Sequence, residues 1–390
     1  MMENNWKEYR FSDFVKINPS VTLKANEEYS FVEMKDLEDG NKYCFPKIKK
    51  IKGGGAKFQN GDTLFARITP CLENGKICQV KGLENNLGFG STEFYVFRGK
   101  ENISDTEFVY YLSRWNDVRD HAEINLDGTS GRQRVPKASF DDLQLLMPPL
   151  PEQKAIASVL SSLDDKIDLL HLQNQTLEAL AETLFRQWFV EEAKEDWEEK
   201  TLFDIIDLIG GGTPKTSVNE YWDGNIGWLS AGDITQSHKG FVVNTEKCIS
   251  ELGLKNSSAK LLPKYSTIIS ARGTVGKYCI LSKPMAYSQS NYGVLPKFKD
   301  CYFFTYLLIA NAVNELQASA YGSVFDTITS ITFKSINVSI PEENEILIFE
   351  KNISIYFKKM LSNKLQIQTL TQIRDTLLPK LMSGEVRVKL

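Results

Sequence analysis

The sequence predicts an α+β fold: two similar mixed, β-rich globular domains joined by two long antiparallel coiled-coil helices, with a pseudo-two-fold internal repeat. Three observations predict it. A seven-residue apolar beat runs through Met147–Val190, the same beat returns in Ile340–Val388, and one order of motifs begins twice, at Trp6 and at Trp197. At 390 residues the chain exceeds one ordinary core, so at least two domains are expected.

The first long helix opens on Pro149, Pro151 and Glu152, because proline in the first turn and negative charge near the N-terminus both favour a helix start. Its a-positions are Leu160, Ile167, Asn174, Ala181 and Trp188, and its d-positions are Ile156, Leu163, Leu170, Leu177 and Leu184. A lone surface helix has no need of such a seam, and a length of ~60 Å exceeds that of most globular helices. The second helix opens on Pro341, Glu342 and Glu343, and its seam is Ile346, Phe349, Ile353, Tyr356, Met360, Asn363, Ile367, Leu370, Leu377 and Leu381. Asn174 and Asn363 interrupt the apolar runs, where a polar group sets register at some cost in stability. Pro379 and Gly384 are expected to end the second helix. Both seams are present in one chain, which favours pairing within it over a coiled coil between chains. The segment between them leaves the far end of the first helix and must reach the start of the second, so antiparallel pairing follows.

Composition narrows the function classes. No apolar run reaches membrane-spanning length, and the start MMENNWKEYR lacks the apolar core of a secretory signal, so a cytoplasmic protein is expected. The six cysteines form no CxxC pair and the three histidines are scattered, which argues for a reducing compartment and against a zinc site. Net charge is −4, yet residues 151–200 hold 5 basic and 12 acidic residues, so the remainder is net +3. The acid sits on the connecting helix and its exit, and the globular parts are free to carry basic surfaces.

In chain order, four segments are expected: a globular domain over 1–147, a long helix over 148–196, a second domain over 197–340, and a long helix with a tail over 341–390. The first domain alternates as short strands do in FVEMKDLEDG, GDTLFARITP and TEFYVFRGK, followed by a helix over Thr106–His121 and the glycine-containing stretch LDGTSGRQRVP. From Trp197 the pattern repeats with a period of 191 residues, the size of a domain rather than of a solenoid unit. WKEYRFSDFVKINPS matches WEEKTLFDIIDLIGG, LFARITPCLENGKICQV matches IISARGTVGKYCIL, TEFVYYLSRWNDV matches FFTYLLIANAVNEL, and LDGTSGRQRVPKASFDDLQLLMPP matches SAYGSVFDTITSITFKSINVSIP. Two similar surfaces at a fixed separation suit a ligand with the symmetry of B-DNA, whose half-sites about one turn apart share a face of the duplex.

These motifs carry a resemblance. PPLPEQKAIASVLSSLDDKI and QTLEALAETLFRQWF resemble the central conserved region of type I restriction-modification specificity subunits, and LLPKLMSGEVRV resembles their distal conserved region. GTSGRQRV, GGGTPKT, YWDGNIGWLSAGDI, ARGTVGK and GSVFDTITSITFKSINVSIP follow in the order of that family, so the resemblance spans the chain. It implies two target recognition domains, each reading one half of a bipartite site in double-stranded DNA, with the helix pair as spacer. It also implies a prokaryotic, non-catalytic subunit that recruits two modification methyltransferase subunits and, for cleavage, restriction/translocase subunits. S-adenosylmethionine, ATP and Mg are then expected on those partners, with no cofactor and no metal in this chain. The second helix opens PEENEI without the glutamine of the first, and the second glycine stretch lacks the GRQR of the first.

Candidate DNA-contacting residues follow from residue type. Lys47, Lys49, Lys50, Lys52 and Lys57, broken by Gly53–Gly55, have the composition of a mobile phosphate-contacting loop; a solvated lysine loop is the equal alternative. Arg132, Gln133 and Arg134, with Arg67 of LFARITP, supply side chains able to read base edges bidentately, the alternative being arginines that brace the domain against the helix. In the second domain the corresponding candidates are Lys215, Arg272, Lys277, Ser288, Gln289, Ser290 and Asn291. ARGTVGK is equally a strand, turn and strand.

Catalytic readings fail on spacing. Neither GGGTPKTS nor GTVGKY has the four residues that a phosphate loop needs between its glycine and a GK[ST] triplet, so Thr213, Pro214 and Lys215 are expected to shape a loop. Neither a proline motif with an aromatic end nor a glycine-rich cofactor loop is found, and Asn18-Pro19-Ser20 is only a fragment of the former. The pairs Asp141/Asp142 and Asp164/Asp165 are expected on solvated faces. The competing classes are a scaffold that binds no DNA and a specificity subunit of a related system with fused methyltransferase and nuclease.

Overall fold

The structure is a computed structural model and describes residues 5–321 and 326–389; Gly322–Phe325, where the second glycine-containing motif begins, lie outside the described residues. The chain forms two compact units, residues 1–169 with 368–390 and residues 170–367. Both divisions fall inside the long helices. Each unit therefore holds a globular lobe and a part of each helix, where the sequence suggests four consecutive segments.

One sheet topology is built twice. In the first unit the order is Val15–Ile17, Phe94–Gly99, Thr63–Ala66, Ile77–Val80, Tyr43–Cys44, antiparallel except for the last, parallel pair. In the second it is Ile206–Gly210, Asn291–Pro296, Thr267–Ser270, Tyr278–Leu281, Phe241–Val242, with the same directions throughout. The middle strands TLFA and TIIS are buried along their whole length, as strands covered on both faces must be. Each lobe also pairs its opening with the strand before a long helix, Lys7–Arg10 with Gln144–Met147 and Glu198–Thr201 with Asn337–Ile340. The remaining sheets differ: four strands in the first unit and three in the second.

Two expected elements change. The helix over Thr106–His121 is two helices, Thr106–Arg114 and Asn116–Ile124, because Trp115 is extended (φ −66°, ψ 139°). The break turns the second piece so that Val118 and Ala122 are buried while Trp115 joins the same core. Its counterpart in the second unit, Tyr302–Tyr321, is unbroken. Pro379 does not stop the last helix, which runs Glu343–Met382 through it. A proline there removes one hydrogen bond within a turn of the end, while Leu381 and Met382 stay anchored in the core. Gly384, at φ +77° and packed against Trp6, ends the helix in the left-handed conformation.

The first long helix spans Leu150–Arg186 and continues as a π-helical turn, Gln187–Glu191. Ile156, Leu160, Ile167, Leu170, Ile346, Phe349, Ile353, Met360, Asn363 and Ile367 are buried, and Leu163, Asn174, Leu177, Leu184, Trp188, Tyr356, Leu370 and Leu377 half-buried. Pairing is antiparallel in both units. In the second, Asn174 donates to the Met360 carbonyl (3.2 Å), Asn363 donates to Asn174 Oδ1 and Gln173 Oε1 (2.8 Å each), and Trp188 meets Phe349 at 5.4 Å. In the first, Glu152 binds Arg387 and Asp164 binds Arg374. Ala181 of the seam is buried as well, and a second buried row, Phe185, Phe189, Phe357 and Leu361, packs the helices onto their lobe. The apolar stripe is thus broader than a coiled-coil seam.

The contacts repeat with the chain. Glu152 and Glu345, and likewise Lys194 and Arg387, stand 193 positions apart, and Glu152·Arg387 in one unit matches Glu345·Lys194 in the other. Asp164 and Arg374 break the pattern. Expected on a solvated face, Asp164 is buried, with Arg374 Nη1 at 2.7 Å and the Tyr111 hydroxyl at 2.7 Å. The residues 193 positions away are Phe357 and Ala181, both buried in an apolar core where Phe357 stacks on Phe303 at 4.6 Å.

Two stability predictions follow from these helices. Arg374→Ala should cost about 3–5 kcal/mol, because it leaves a buried carboxylate uncompensated. Asp164→Phe combined with Arg374→Ala, which copies the other unit, should recover at least half of that loss in urea unfolding; a double variant no better than the single one contradicts the equivalence. Glu178 is the second case. Burial, then the neighbouring Glu182, push its carboxyl up to about 7, and its Oε1 finds no partner among the described residues. The folded state keeps a proton that the unfolded chain releases above its ordinary value of 4.5, so this group's share of stability falls as pH rises toward about 7. Glu178→Gln should flatten the decline between those pH values, measured as unfolding midpoint against pH.

Candidate nucleic-acid interface

In the first unit the residues of interest leave one end of the five-stranded sheet. Ala66 pairs with Phe94, so Arg67 follows and Glu93 precedes the last registered pair. Asn18 leaves the neighbouring strand at the same end, its φ at +54°, its N–H on the Val96 carbonyl and its Oδ1 accepting from the Val96 N–H (2.7 and 3.0 Å). The GTSGRQR stretch folds back as an exposed hairpin in which Asp127 and Arg134 exchange both backbone hydrogen bonds. Gln133 and Thr69 tie it down, the Gln133 carbonyl accepting from the Thr69 N–H and its own N–H donating to Thr69 Oγ1, each at 3.0 Å.

Three adjoining grooves open here, all bordered by Asn18. One, of about 470 Å³, is lined by Lys57, Arg67 and Tyr95; the next, of about 400 Å³, by Arg67, Tyr95, Arg134 and Lys137; the third, of about 540 Å³, by Lys16, Arg98, Lys100 and Lys137. Some of these cations are committed: Arg98 is held by the buried Asp62 (2.6 and 2.7 Å), and Lys100 donates to the Ser12 carbonyl. Lys16, Lys57 and Lys137 form no ion pair among the described residues, so their charge is available to phosphates. Lys16, Lys137 and Asn18 were not among the sequence candidates. Their signal is spatial, since a lone lysine within a short strand or after a proline has no distinctive spacing.

The lysine run is not a loop. Ile48–Ile51 is an edge strand on Glu28–Val32, and Ala56–Gln59 the opposite edge of the same sheet. Gly53–Gly55 lies between them, and at Gly55 (φ +118°) a Cβ would sit 1.9 Å from the Gly90 carbonyl oxygen, so only glycine fits. Lys47, Lys49 and Lys50 face Asp36, Glu84 and Glu33 at 3.8, 2.6 and 3.6 Å, and Lys50 lies 3.8 Å from the Phe31 ring centre. Lys52 is half-buried and forms no ion pair among the described residues. All four residues of Ile48–Ile51 are exposed, and lysines on such an edge strand blunt it against pairing. Of the run, Lys57 alone lines the grooves.

Around Glu93 the geometry is tight. Its carboxylate accepts from Arg134 Nε (2.9 Å) and Nη2 (2.8 Å) and from Arg67 Nε (3.3 Å), and the Arg67 guanidinium lies 5.4 Å from the Tyr95 ring centre. Hydrogen bonds from Arg134 hold the Glu93 carboxyl below its ordinary range. Arg132 is exposed, and its carbonyl accepts from Arg134 Nη1 at 3.3 Å.

The second unit places its candidates apart. Ser288 and Asn291 are buried, Asn291 Nδ2 donating to Ser288 Oγ at 2.7 Å, so they fix a turn and do not face a ligand. Gln289 and Arg272 are exposed on adjacent turns beyond the Ser270–Asn291 pair. ARGTVGK is the turn between two antiparallel strands. Lys277 faces elsewhere, into a groove of about 520 Å³ walled by Glu182, Arg186, His238, Lys239 and Asn314. Lys215 is exposed in a loop closed by the indoles of Trp222 and Trp228, which donate to the carbonyls of Lys215 (3.2 Å) and Gly212 (2.9 Å). Matching the ladders makes Ala271, not Arg272, the counterpart of Arg67, one residue from where the motifs align.

Comparison with known proteins bears on both units. The family model described as the type I restriction modification DNA specificity domain matches twice, over residues 3–179 and 194–375. The type I restriction enzyme HindI specificity subunit of Haemophilus influenzae is 26% identical, over 98% of this chain and 100% of that one. The type I restriction enzyme MjaIX specificity subunit of Methanocaldococcus jannaschii is 25% identical, over 98% of this chain and 89% of that one. A crystal structure of the S subunit of a type I restriction-modification system from M. genitalium shares the fold, with a TM-score of 0.60 at 17% identity over 98% of this chain and 97% of that one.

Proposed function

The chain belongs to the type I restriction-modification DNA specificity family and is a specificity subunit, and from that premise we propose that each lobe reads one half of a bipartite DNA site while the helix pair sets the gap between the halves. One observation carries this reading. A single sheet topology is built twice, and in each copy an ion pair, recurring 193 positions along the chain, joins the start of one long helix to the segment that follows the other. Two copies of one scaffold suit a ligand with two half-sites.

Specificity subunits work in complexes with other subunits and DNA. This chain's part is recognition and assembly: the reaction belongs to two modification methyltransferase subunits with S-adenosylmethionine, and cleavage to restriction/translocase subunits with ATP and Mg. The long helices support an assembly role. Leu172 and Leu180 of the first helix are exposed in the second unit, and Ile373 of the second helix in the first unit, at apolar positions outside the seam. A scaffold without DNA leaves unexplained the gathering in these grooves of Lys16, Lys57 and Lys137, which form no ion pair among the described residues.

Insertion of four residues, about one helical turn, between Gln175 and Glu182 with the matching insertion in the second helix should lengthen the gap and keep both half-sites. Methylation-sensitive sequencing of a host carrying the altered subunit reads both quantities. Half-sites that change while the gap stays fixed contradict the division of labour.

A further inference from the structure

The first unit carries a clamp that its structural repeat lacks. The Arg67 N–H donates to the Glu93 carbonyl at 3.0 Å, and the Val135 N–H donates to the Arg67 carbonyl at 2.9 Å, which sets Arg134 beside both. In the second unit the Ala271 N–H donates to the Ser290 carbonyl at 3.0 Å and the Ile328 N–H to the Ala271 carbonyl at 3.1 Å. Ala271, Ser290 and Thr327 therefore stand where Arg67, Glu93 and Arg134 stand. The same backbone closure forms with alanine and serine in two of those places, so the fold does not require the charged trio.

The chemistry of the trio is that of a reader. Two guanidiniums on one carboxylate leave a net charge of +1 at the mouth of the groove. Arg134 engages Glu93 side-on through Nε and Nη2, and Nη1 gives one hydrogen to the Arg132 carbonyl. Nη1 and Nη2 each keep one further hydrogen in the guanidinium plane. Guanine offers the matching acceptor pair, N7 and O6, in the major groove. A guanidinium on a free side chain must lose rotamer freedom to reach that geometry, whereas one already seated on a carboxylate has lost it. The hairpin beneath Arg134 is tied on both sides, by Asp127 and by Thr69, so the clamp stands on a rigid base.

We propose that Glu93 is a positioning residue that holds Arg134 end-on to a guanine in the half-site of the first unit, with Arg67, set against Tyr95, as the second donor beside it. The proposal rests on the reading of that unit as a DNA-recognition lobe. Lys57 and Lys137 flank the clamp in the same grooves and supply the phosphate contacts.

The test uses the chain co-purified with its modification subunits and a library of duplexes randomised in sequence, with the bound fraction sequenced. Arg134→Ala and Glu93→Gln should each lower the preference for guanine at one and the same position by roughly ten- to a hundredfold and leave the other positions intact. Glu93→Asp should retain part of that preference. On one duplex selected by the wild type, Glu93→Gln should keep the salt dependence, while Lys57→Ala with Lys137→Ala should make it shallower by roughly two charges without altering base preference. If Arg134→Ala weakens all sequences alike and makes the salt dependence shallower, Arg134 is a phosphate contact and the proposal is wrong. If Glu93→Gln spares the position that Arg134→Ala loses, the positioning role is wrong. If these variants and the lysine pair all behave as wild type, the first unit does not touch DNA, and the reading of that lobe fails with it.

Discussion

Two helices of 37 and 40 residues, each with an apolar seam, have to cover one another, and the antiparallel pairing that does so is the constraint on which the remaining structure depends. Burial of Ile156, Leu160, Ile353 and Met360 drives the association but tolerates sliding, since one apolar residue replaces another at little cost. The asparagines do not tolerate it. Asn363 is fully buried and has Asn174 and Gln173 as its acceptors, so a shift by one turn would strand a buried amide without partners. The ion pairs Glu152·Arg387 and Lys194·Glu345 repeat the restraint toward the ends.

On this frame the two lobes keep their backbone and differ in their side chains. The five-stranded sheets share strand order and direction, and the connections beyond the sheet end close with the same hydrogen bonds. At the joints between lobe and helix, one unit uses a buried Asp164·Arg374 pair and the other the apolar Phe357 and Ala181. At the sheet end one unit has Arg67, Glu93 and Arg134, and the other Ala271 and Ser290. A common backbone with different side chains at the two sheet ends is what the proposed reading of two half-sites calls for. Register is carried by hydrogen bonds common to both lobes, and recognition by side chains that the register does not use.

The seams and the duplication were legible because each is periodic along the chain. The spacing of Ile156 to Leu184 reports one helix face, and the return of the motif order at Trp197 reports a second copy of the lobe. The candidate site was legible only in part. Arg67 and Arg134 were identifiable by type, yet their partner Glu93 lies 26 and 41 residues away and has no motif of its own. Ser288 and Asn291 have a suitable polarity, but both are buried and joined by a hydrogen bond inside a turn. The lysine run reads as a loop because an exposed edge strand whose acidic partners lie on turns distant in sequence has the composition of one. The break at Trp115 left no local signal, since the core that holds the indole is assembled from distant segments.

By itself the sequence determined what depends on neighbours along the chain: two long helices, their seams, their polar interruptions and a lobe present twice. Tertiary structure decided what depends on neighbours across it. Ladder hydrogen bonds set which residue of one lobe answers which of the other, placing Ala271 opposite Arg67 where the motifs aligned Arg272. The physical reason is that a strand's side chains change face with every residue, so a match between motifs that is off by one exchanges a pointing residue for a hidden one. Charges followed the same division. Their number could be counted in the chain, but whether a lysine is neutralised by a glutamate or left facing a groove was fixed only when the strands were laid side by side.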